Sequence, residues 1–227
     1  MSKQAEKKNA ALKAVEYVKS GMTLGLGTGS TAYFAIEAIG EQWQAGTLTD
    51  IRAIPTSEAT ARQAEGYGIP LLKLADVDRI DLTIDGADEF DPQLRLIKGG
   101  GGALFREKLV AFASDTMLVI SDGSKEVAQL GAFPLPLEVL PKAVRLVQRV
   151  LNEKGYYAPQ LRMTADNEPF LTDNQNYILD CALGQIPNPD ELDLELHLIP
   201  GIVETGLFLG LATKVIMGKG DEVVEIG

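Results

Sequence analysis

Residues 84 to 108 read IDGADEFDPQLRLIKGGGGALFREK, which crowds Asp85, Asp88, Glu89, Lys98 and Glu107 around the four successive glycines Gly99 to Gly102. Carboxylates and an ammonium brought together are the equipment of general acid–base chemistry. Glycines let backbone approach a ligand closely, because no Cβ intervenes. Leu82 and Ile84 predict a strand over 81–84, so Asp85 falls at its carboxyl end, where open α/β sheets place their ligands. Gly86 lets the chain turn at once, Asp88 and Glu89 follow on the turn, and Glu107 falls near the start of a helix expected over 103–114. The plain alternative is an exposed acidic turn followed by a solvated helix face. Four adjacent glycines count against it, since each costs stability in a merely structural turn.

Two further stretches carry the same kind of signal. GLGTGSTAYF, residues 25–34, reads as a strand entering a glycine- and hydroxyl-rich loop and then a helix. Such a loop points free backbone N–H groups at an anion, and Ser30 and Thr31 add hydroxyls suited to a phosphate monoester. Gly27, Gly29 and Ala32 fit the loose dinucleotide pattern G-x-G-x-x-A, but that pattern also calls for an acid ending the second strand, and Glu58 falls at the start of a helix. No Gly-Lys-Ser/Thr triplet is present, which excludes a nucleotide P-loop. Ser121-Asp122-Gly123-Ser124-Lys125 again follows a strand, so Lys125 is a second candidate phosphate partner at the same sheet edge.

These residues need a scaffold, and the periodicity supplies one. Ala11, Ala14, Val15 and Val18 predict a first helix that stops at Gly21. Strands are expected at 22–27, 51–55, 69–74, 81–84 and 117–120, alternating with helices from 31 to about 39, 58 to 66 and 103 to 114. Such alternation argues for a parallel sheet covered on both faces. The rhythm breaks at Phe133-Pro134-Leu135-Pro136-Leu137, near Gly131. Beyond it a helix is expected over 141–154, strands at 160–164, 169–172 and 177–182, and a helix capped by Asn188 with Pro189 behind it. Residues 213–217 and 222–226 read as a closing hairpin. The expected division is 1–130 plus 207–227 for the α/β domain and 131–206 for a small α+β domain.

With 227 residues, 45% apolar and 23% charged, the chain can bury a proper core. Its net charge of −11 argues against nucleic acid or an anionic membrane as partner. An anionic ligand must then be held by a few focused groups. Cys181 and His197 are the only residues of their kinds, which excludes a disulfide and clustered thiol or imidazole metal sites. Cys181 reads as a small core residue and His197, between Leu196 and Leu198, as part of a packed stretch. Charges occupy the N-terminus where a signal peptide needs an apolar run, and the expectation is a cytoplasmic protein with no membrane partner.

GTGSTA, DGADE, KGGGGALFREK and SDGSK, in this order and spacing, resemble the A-type ribose-5-phosphate isomerases, and the likeness extends to Pro200–Phe208 and covers essentially the whole chain. The resemblance implies interconversion of ribose 5-phosphate and ribulose 5-phosphate, in the non-oxidative pentose phosphate branch, with no metal and no organic cofactor. It implies a Rossmann-like α/β domain with an inserted ferredoxin-like α+β domain, assembled as a homodimer or homotetramer. By position, Thr28, Gly29, Ser30 and Thr31 match the substrate-binding loop. Asp85, Gly86, Ala87 and Asp88 match the acidic turn, and Lys98, Gly99, Gly100 and Gly101 the glycine-rich turn. Glu107 falls on the catalytic base and Lys125 on a further binding lysine. The expected chemistry has Glu107 shuttling a proton through a cis-enediolate, Lys98 steadying the enediolate oxygen, Asp85 assisting ring opening, and Asp88 holding substrate hydroxyls or orienting Lys98. A sugar-phosphate sensor is the competing binding-protein reading, but it calls for a basic DNA-binding segment absent from this sequence. A nicotinamide-dependent oxidoreductase is the other, and stabilisation by the dinucleotide would reveal it.

Overall fold

Thr23–Leu26 is a short strand with Leu24, Gly25 and Leu26 buried, and the largest sheet is built outward from it in both directions. The computed structural model describes residues 2–155 and 159–227. The six strands lie in the order Glu222–Ile226, Lys214–Lys219, Met117–Asp122, Leu82–Gly86, Thr23–Leu26 and Arg52–Pro55. Every neighbouring pair is parallel except the first, the C-terminal hairpin. From Thr23–Leu26 the chain passes to its neighbour on one side, Arg52–Pro55, and later returns to the other side at Leu82–Gly86. That reversal is the kind of switch point at which open α/β sheets bind ligands beyond their carboxyl ends.

Helices Lys3–Val15, Ala32–Gln44 and Glu58–Gly66 form where the sequence places apolar residues at helical spacing. Lys3–Val15 buries Ala10, Ala11, Ala14 and Val15, and its N-cap Ser2 accepts the Ala5 N–H. Ser57 caps Glu58–Gly66 in the same way, through the Thr60 N–H. Together with the strands they enclose a core that includes Leu24, Leu26, Ile36, Ile39, Leu82, Ile84 and Ile120.

By contacts the chain divides into two compact units, the first comprising Met1–Ala87, Arg106–Lys125 and Gly210–Gly227, the second Asp88–Phe105 and Glu126–Leu209. The second holds a four-stranded antiparallel sheet in the order Ile202–Thr205, Leu135–Val139, Tyr177–Cys181 and Gln160–Leu161. With helices Val144–Glu153 and Pro189–His197 it follows the β-α-β-β-α-β course of the ferredoxin-like fold. Its core includes Leu137, Val139, Val147, Leu151, Leu179 and Leu196. A three-stranded ribbon, Leu207–Phe208, Leu96–Ile97 and Glu89–Phe90, belongs to the same unit.

Several sequence expectations change. The proline-broken stretch near 133–137 contributes Leu135–Val139, a wholly buried inner strand. Pro136 is tolerated because its carbonyl accepts from Gly206 N, so its missing N–H falls on the side where pairing with Ile202–Thr205 has already ended. Residues 69–74 contribute only a bridge from Leu71 to Ala53, and 169–172 only a bridge from Pro169 to Met163. His197 is exposed, not packed, and its ring meets the Asp193 carbonyl and, 3.0 Å away, the Glu204 carboxylate. Cys181 is buried as expected, and burial pushes its thiol pKa up to about 12.

Candidate active site

The first unit carries the loop Gly27–Thr31, Asp85, Glu107 and Lys125, and its geometry follows from one close approach. A Cβ on Gly27 would stand 2.1 Å from Asp85 Oδ1 and 2.6 Å from Asp85 Cα, so only glycine lets the first strand's exit pass the acid. The Asp85 carboxylate, fully buried, accepts the Thr28 N–H at 3.1 Å and the Gly86 N–H at 2.7 Å through Oδ1. Two backbone donors hold this acid at the switch point. Gly29 has a φ of +113°, a conformation that glycine adopts without strain, and its N-terminal position opens helix Ala32–Gln44.

Thr28 turns its hydroxyl inward. Its Oγ1 lies 2.7 Å from Thr56, 2.8 Å from Ser57 and 3.2 Å from Thr60, a cluster that ties the loop to the start of helix Glu58–Gly66. Its backbone N–H is already committed to Asp85. Ser30 is exposed and its Oγ accepts from Lys7 Nζ at 2.9 Å. A cavity of about 610 Å³ opens here, lined in part by Gly27, Thr28, Gly29, Ser30, Tyr33 and Thr60.

Lys7, which the sequence reading did not single out, meets both this loop and the end of strand Met117–Asp122. It lies on the first helix, remote in sequence from every glycine motif, and the signal that could have found it is its helical spacing from Ala10, Ala11 and Ala14, which puts a lysine on the buried face. Its ammonium stands 3.9 Å from Asp122 Oδ2, while Lys3 Nζ reaches Ser124 Oγ at 3.1 Å. Burial alone would raise the Asp122 carboxyl pKa. Hydrogen bonds from the Ser124 hydroxyl and N–H, with the Lys7 and Lys125 charges, outweigh burial and hold it below the ordinary carboxylate value. Lys7 and Lys125 are thus drawn to one carboxylate at the end of strand Met117–Asp122, and Lys7 also touches the Ser30 hydroxyl. This is a focus of positive charge on a chain of net charge −11.

Glu107, 4% exposed, stands in the first turn of helix Leu104–Phe112. Val110, one turn along, packs so tightly on the first strand that a Cβ on Gly25 would lie 2.6 Å from it. Residues three apart share a helix face, so Glu107 lies on the face turned to the sheet rather than on a solvated one.

The second unit carries Asp88, Lys98 and the glycine turn. Asp88 N donates to Ile97 O at 2.9 Å, and Asp88 Oδ2 accepts the Gly100 N–H at 2.7 Å. Lys98 is 2% exposed, its N–H pairs with Gly206 O, and its ammonium sits 5.4 Å from the Phe208 ring centroid. A buried ammonium over an aromatic face is held by the ring quadrupole. Gly99 and Gly102 adopt φ of +114° and +78°, and a Cβ on Gly100 would lie 2.6 Å from Asp88 Oδ1. Glu89, by contrast, is structural: its carboxylate accepts N–H groups from Gly131 and Phe133. Gly86 and Ala87 link Asp85 to Asp88 along the chain, and the passage from the first unit to the second falls between Ala87 and Asp88. Among the described residues, no group of three or more His, Cys, Asp or Glu side chains is arranged to hold a metal ion. No helix among them is long and apolar enough to cross a membrane.

The fold defines an α/β protein whose first unit carries a glycine- and hydroxyl-rich loop and the buried acids Asp85 and Glu107, and whose second unit carries the buried Lys98 beside a glycine turn. The family model described as ribose 5-phosphate isomerase A (phosphoriboisomerase A) matches residues 52–222. The chain belongs to that family. It is 50% identical over 232 residues to the ribose-5-phosphate isomerase A of Parvibaculum lavamentivorans, covering 99% of this chain and 100% of the relative. A solved D-ribose-5-phosphate isomerase in complex with phospho-erythronic acid superposes with a TM-score of 0.96 at 38% identity, over 99% of both chains. The corresponding enzyme of Methanocaldococcus jannaschii gives 0.93 at 40% identity, again over 99% of each chain.

Proposed function

We propose that the protein interconverts D-ribose 5-phosphate and D-ribulose 5-phosphate, an aldose–ketose isomerisation of the non-oxidative pentose phosphate branch. The observation that carries the reading is the pair of buried acids, Asp85 and Glu107, in a unit that also gathers Lys7, Ser30 and Lys125 for an anionic tail. Family membership supports it.

Conversion of the aldose to the ketose moves one proton from C2 to C1 and another from the C2 oxygen to the C1 oxygen, through a cis-enediolate. Glu107 takes the C2 proton and returns it at C1. Its burial on the sheet-facing side of the helix keeps bulk water from exchanging with that proton. Lys98, an ammonium already sequestered from water, steadies the enediolate oxygen, where a fixed charge is worth more than in solvent. Asp85, fixed by two backbone donors through one oxygen, accepts the anomeric hydroxyl proton as the sugar ring opens. Asp88, braced on Gly100 N, holds sugar hydroxyls. Gly29, Ser30, Thr31 and Lys125 take the phosphate, with Lys7, and Thr28 anchors their loop to Asp85 and to the start of helix Glu58–Gly66. Gly86, Ala87, Gly99, Gly100 and Gly101 supply backbone around the sugar. A relative's complex with a phosphorylated four-carbon acid supports this assignment, since a carboxylate carries paired oxygens much as an enediolate does. The reading carries with it a homodimer or homotetramer in the cytoplasm.

A coupled assay on ribose 5-phosphate with chelator present tests the activity, and Glu107→Gln tests the base. The amide keeps the shape and removes the proton acceptor, so kcat is expected to fall about 10²–10⁴-fold with KM little changed. Near-normal turnover in that variant would remove Glu107 from the role.

A further inference from the structure

We infer that Arg162, braced by Asp180, is a positioning residue that sets the direction of the peptide groups in the glycine turn. The inference rests on the turn belonging to the substrate site, as proposed above. Arg162 is mostly buried, and its guanidinium makes a two-point contact with the Asp180 carboxylate, through Nε at 2.9 Å and through Nη2. The remaining arm, Nη1, donates to Gly99 O at 2.8 Å and to Gly100 O at 3.2 Å. Phe170 flanks the fork, its ring centroid 5.9 Å from the guanidinium carbon. The same ring would lie 2.5 Å from a Cβ on Gly102.

A trans peptide points its C=O and N–H in opposite directions. With the carbonyls of Gly99 and Gly100 turned to Arg162, the N–H groups of Gly100 and Gly101 are turned away from it. The first of these is the one that Asp88 accepts. Arg162 therefore acts on the substrate side without facing it: it holds two successive N–H groups in one direction, the arrangement that makes an anion-binding concavity, and keeps Asp88 in register. Glycines have no side chains with which to hold such a conformation, and their backbone freedom is the largest of any residue. The planar five-donor fork can serve a carboxylate and two carbonyls together, which a lysine ammonium cannot do in that geometry.

The test compares Arg162→Lys, Arg162→Ala and Asp180→Asn with Lys98→Met, reading kcat and KM for ribose 5-phosphate, the inhibition constant of inorganic phosphate, and Tm. Arg162→Lys is expected to fold and to lose about 10- to 100-fold in kcat/KM, with Asp180→Asn changed in the same direction by less. The phosphate inhibition constant stays near the parent value, because the Ser30 and Lys7 region is untouched. Added guanidinium ion restores part of the activity of Arg162→Ala in a saturable way. Parent-like kcat/KM in Arg162→Lys overturns the inference, as does a loss of phosphate affinity that runs parallel to a loss of Tm. If Lys98→Met also keeps parent-like kcat/KM, the site assignment itself has failed. An inactive Lys98→Met beside an unimpaired Arg162→Lys rejects the role of Arg162 alone.

Discussion

At the scale of single residues, the groups able to do acid–base chemistry were legible because that ability depends on residue type. Asp85, Lys98 and Glu107 stood out as ionisable groups beside glycines, and all three are at most 4% exposed. Thr28 shows the limit of that reading. It was matched by resemblance to the substrate-binding loop, and its hydroxyl lies in a cluster with Thr56, Ser57 and Thr60. Residue type alone does not say which way a side chain turns. Lys7 escaped notice because a lysine on an alanine-rich helix looks like any solvated charge. Its contact with Ser30 puts it beside the loop proposed to take the phosphate, and a charge-assisted hydrogen bond is worth about 1.5–3 kcal/mol. Lys7→Ala is therefore expected to raise KM for the sugar phosphate about 10-fold or more while leaving kcat nearly unchanged. Steady-state kinetics at two ionic strengths checks this, and the difference from the parent should shrink at high salt.

At the scale of elements, local rules worked where an element is long and amphipathic. Helix Glu58–Gly66 matches its expected bounds, and Lys3–Val15 buries the alanines its periodicity picked out. They worked less well for Leu135–Val139, where Pro136 and the preceding Pro134 read as a break. That strand exists because its neighbours on both sides supply pairing and burial, information that no local window contains. Glycine spacing carries a similar long-range message. A Cβ on Gly218 would meet the Glu6 carbonyl oxygen at 2.1 Å, so strand Lys214–Lys219 accepts the first helix only through that gap. Gly218→Ala must push helix and strand apart, an overpacking cost of about 1–3 kcal/mol. A thermal melt should show a clearly lowered Tm, and an unchanged Tm would mean that the helix does not bear on the strand this closely.

At the scale of the whole molecule, the buried thiol offers a probe of the second unit. With a pKa pushed to about 12, the Cys181 thiolate is a minute fraction at pH 8 in the folded protein. Alkylation under native conditions should be slow and limited by opening of the unit, and rapid in denaturant; mass spectrometry on a time course checks it. The sign of the pH effect also follows. The thiol's folded pKa is raised above its ordinary value of 9.0, so its contribution to stability is intact below about pH 9 and declines as pH rises from there toward 12. The two-unit organisation itself is where sequence and structure divide. The sequence by itself determined the alternating α/β pattern, the change to an α+β pattern near Gly131, and the ionisable residues of the candidate site, because periodicity, glycine placement and side-chain chemistry are local properties. Tertiary structure alone decided that residues 88–105 group with the second unit, that Lys7 leans on Ser30, and that Arg162 reaches back across more than sixty positions to hold Gly99 and Gly100. Those pairings join parts of the chain far apart in sequence, and only packing brings them within hydrogen-bonding distance.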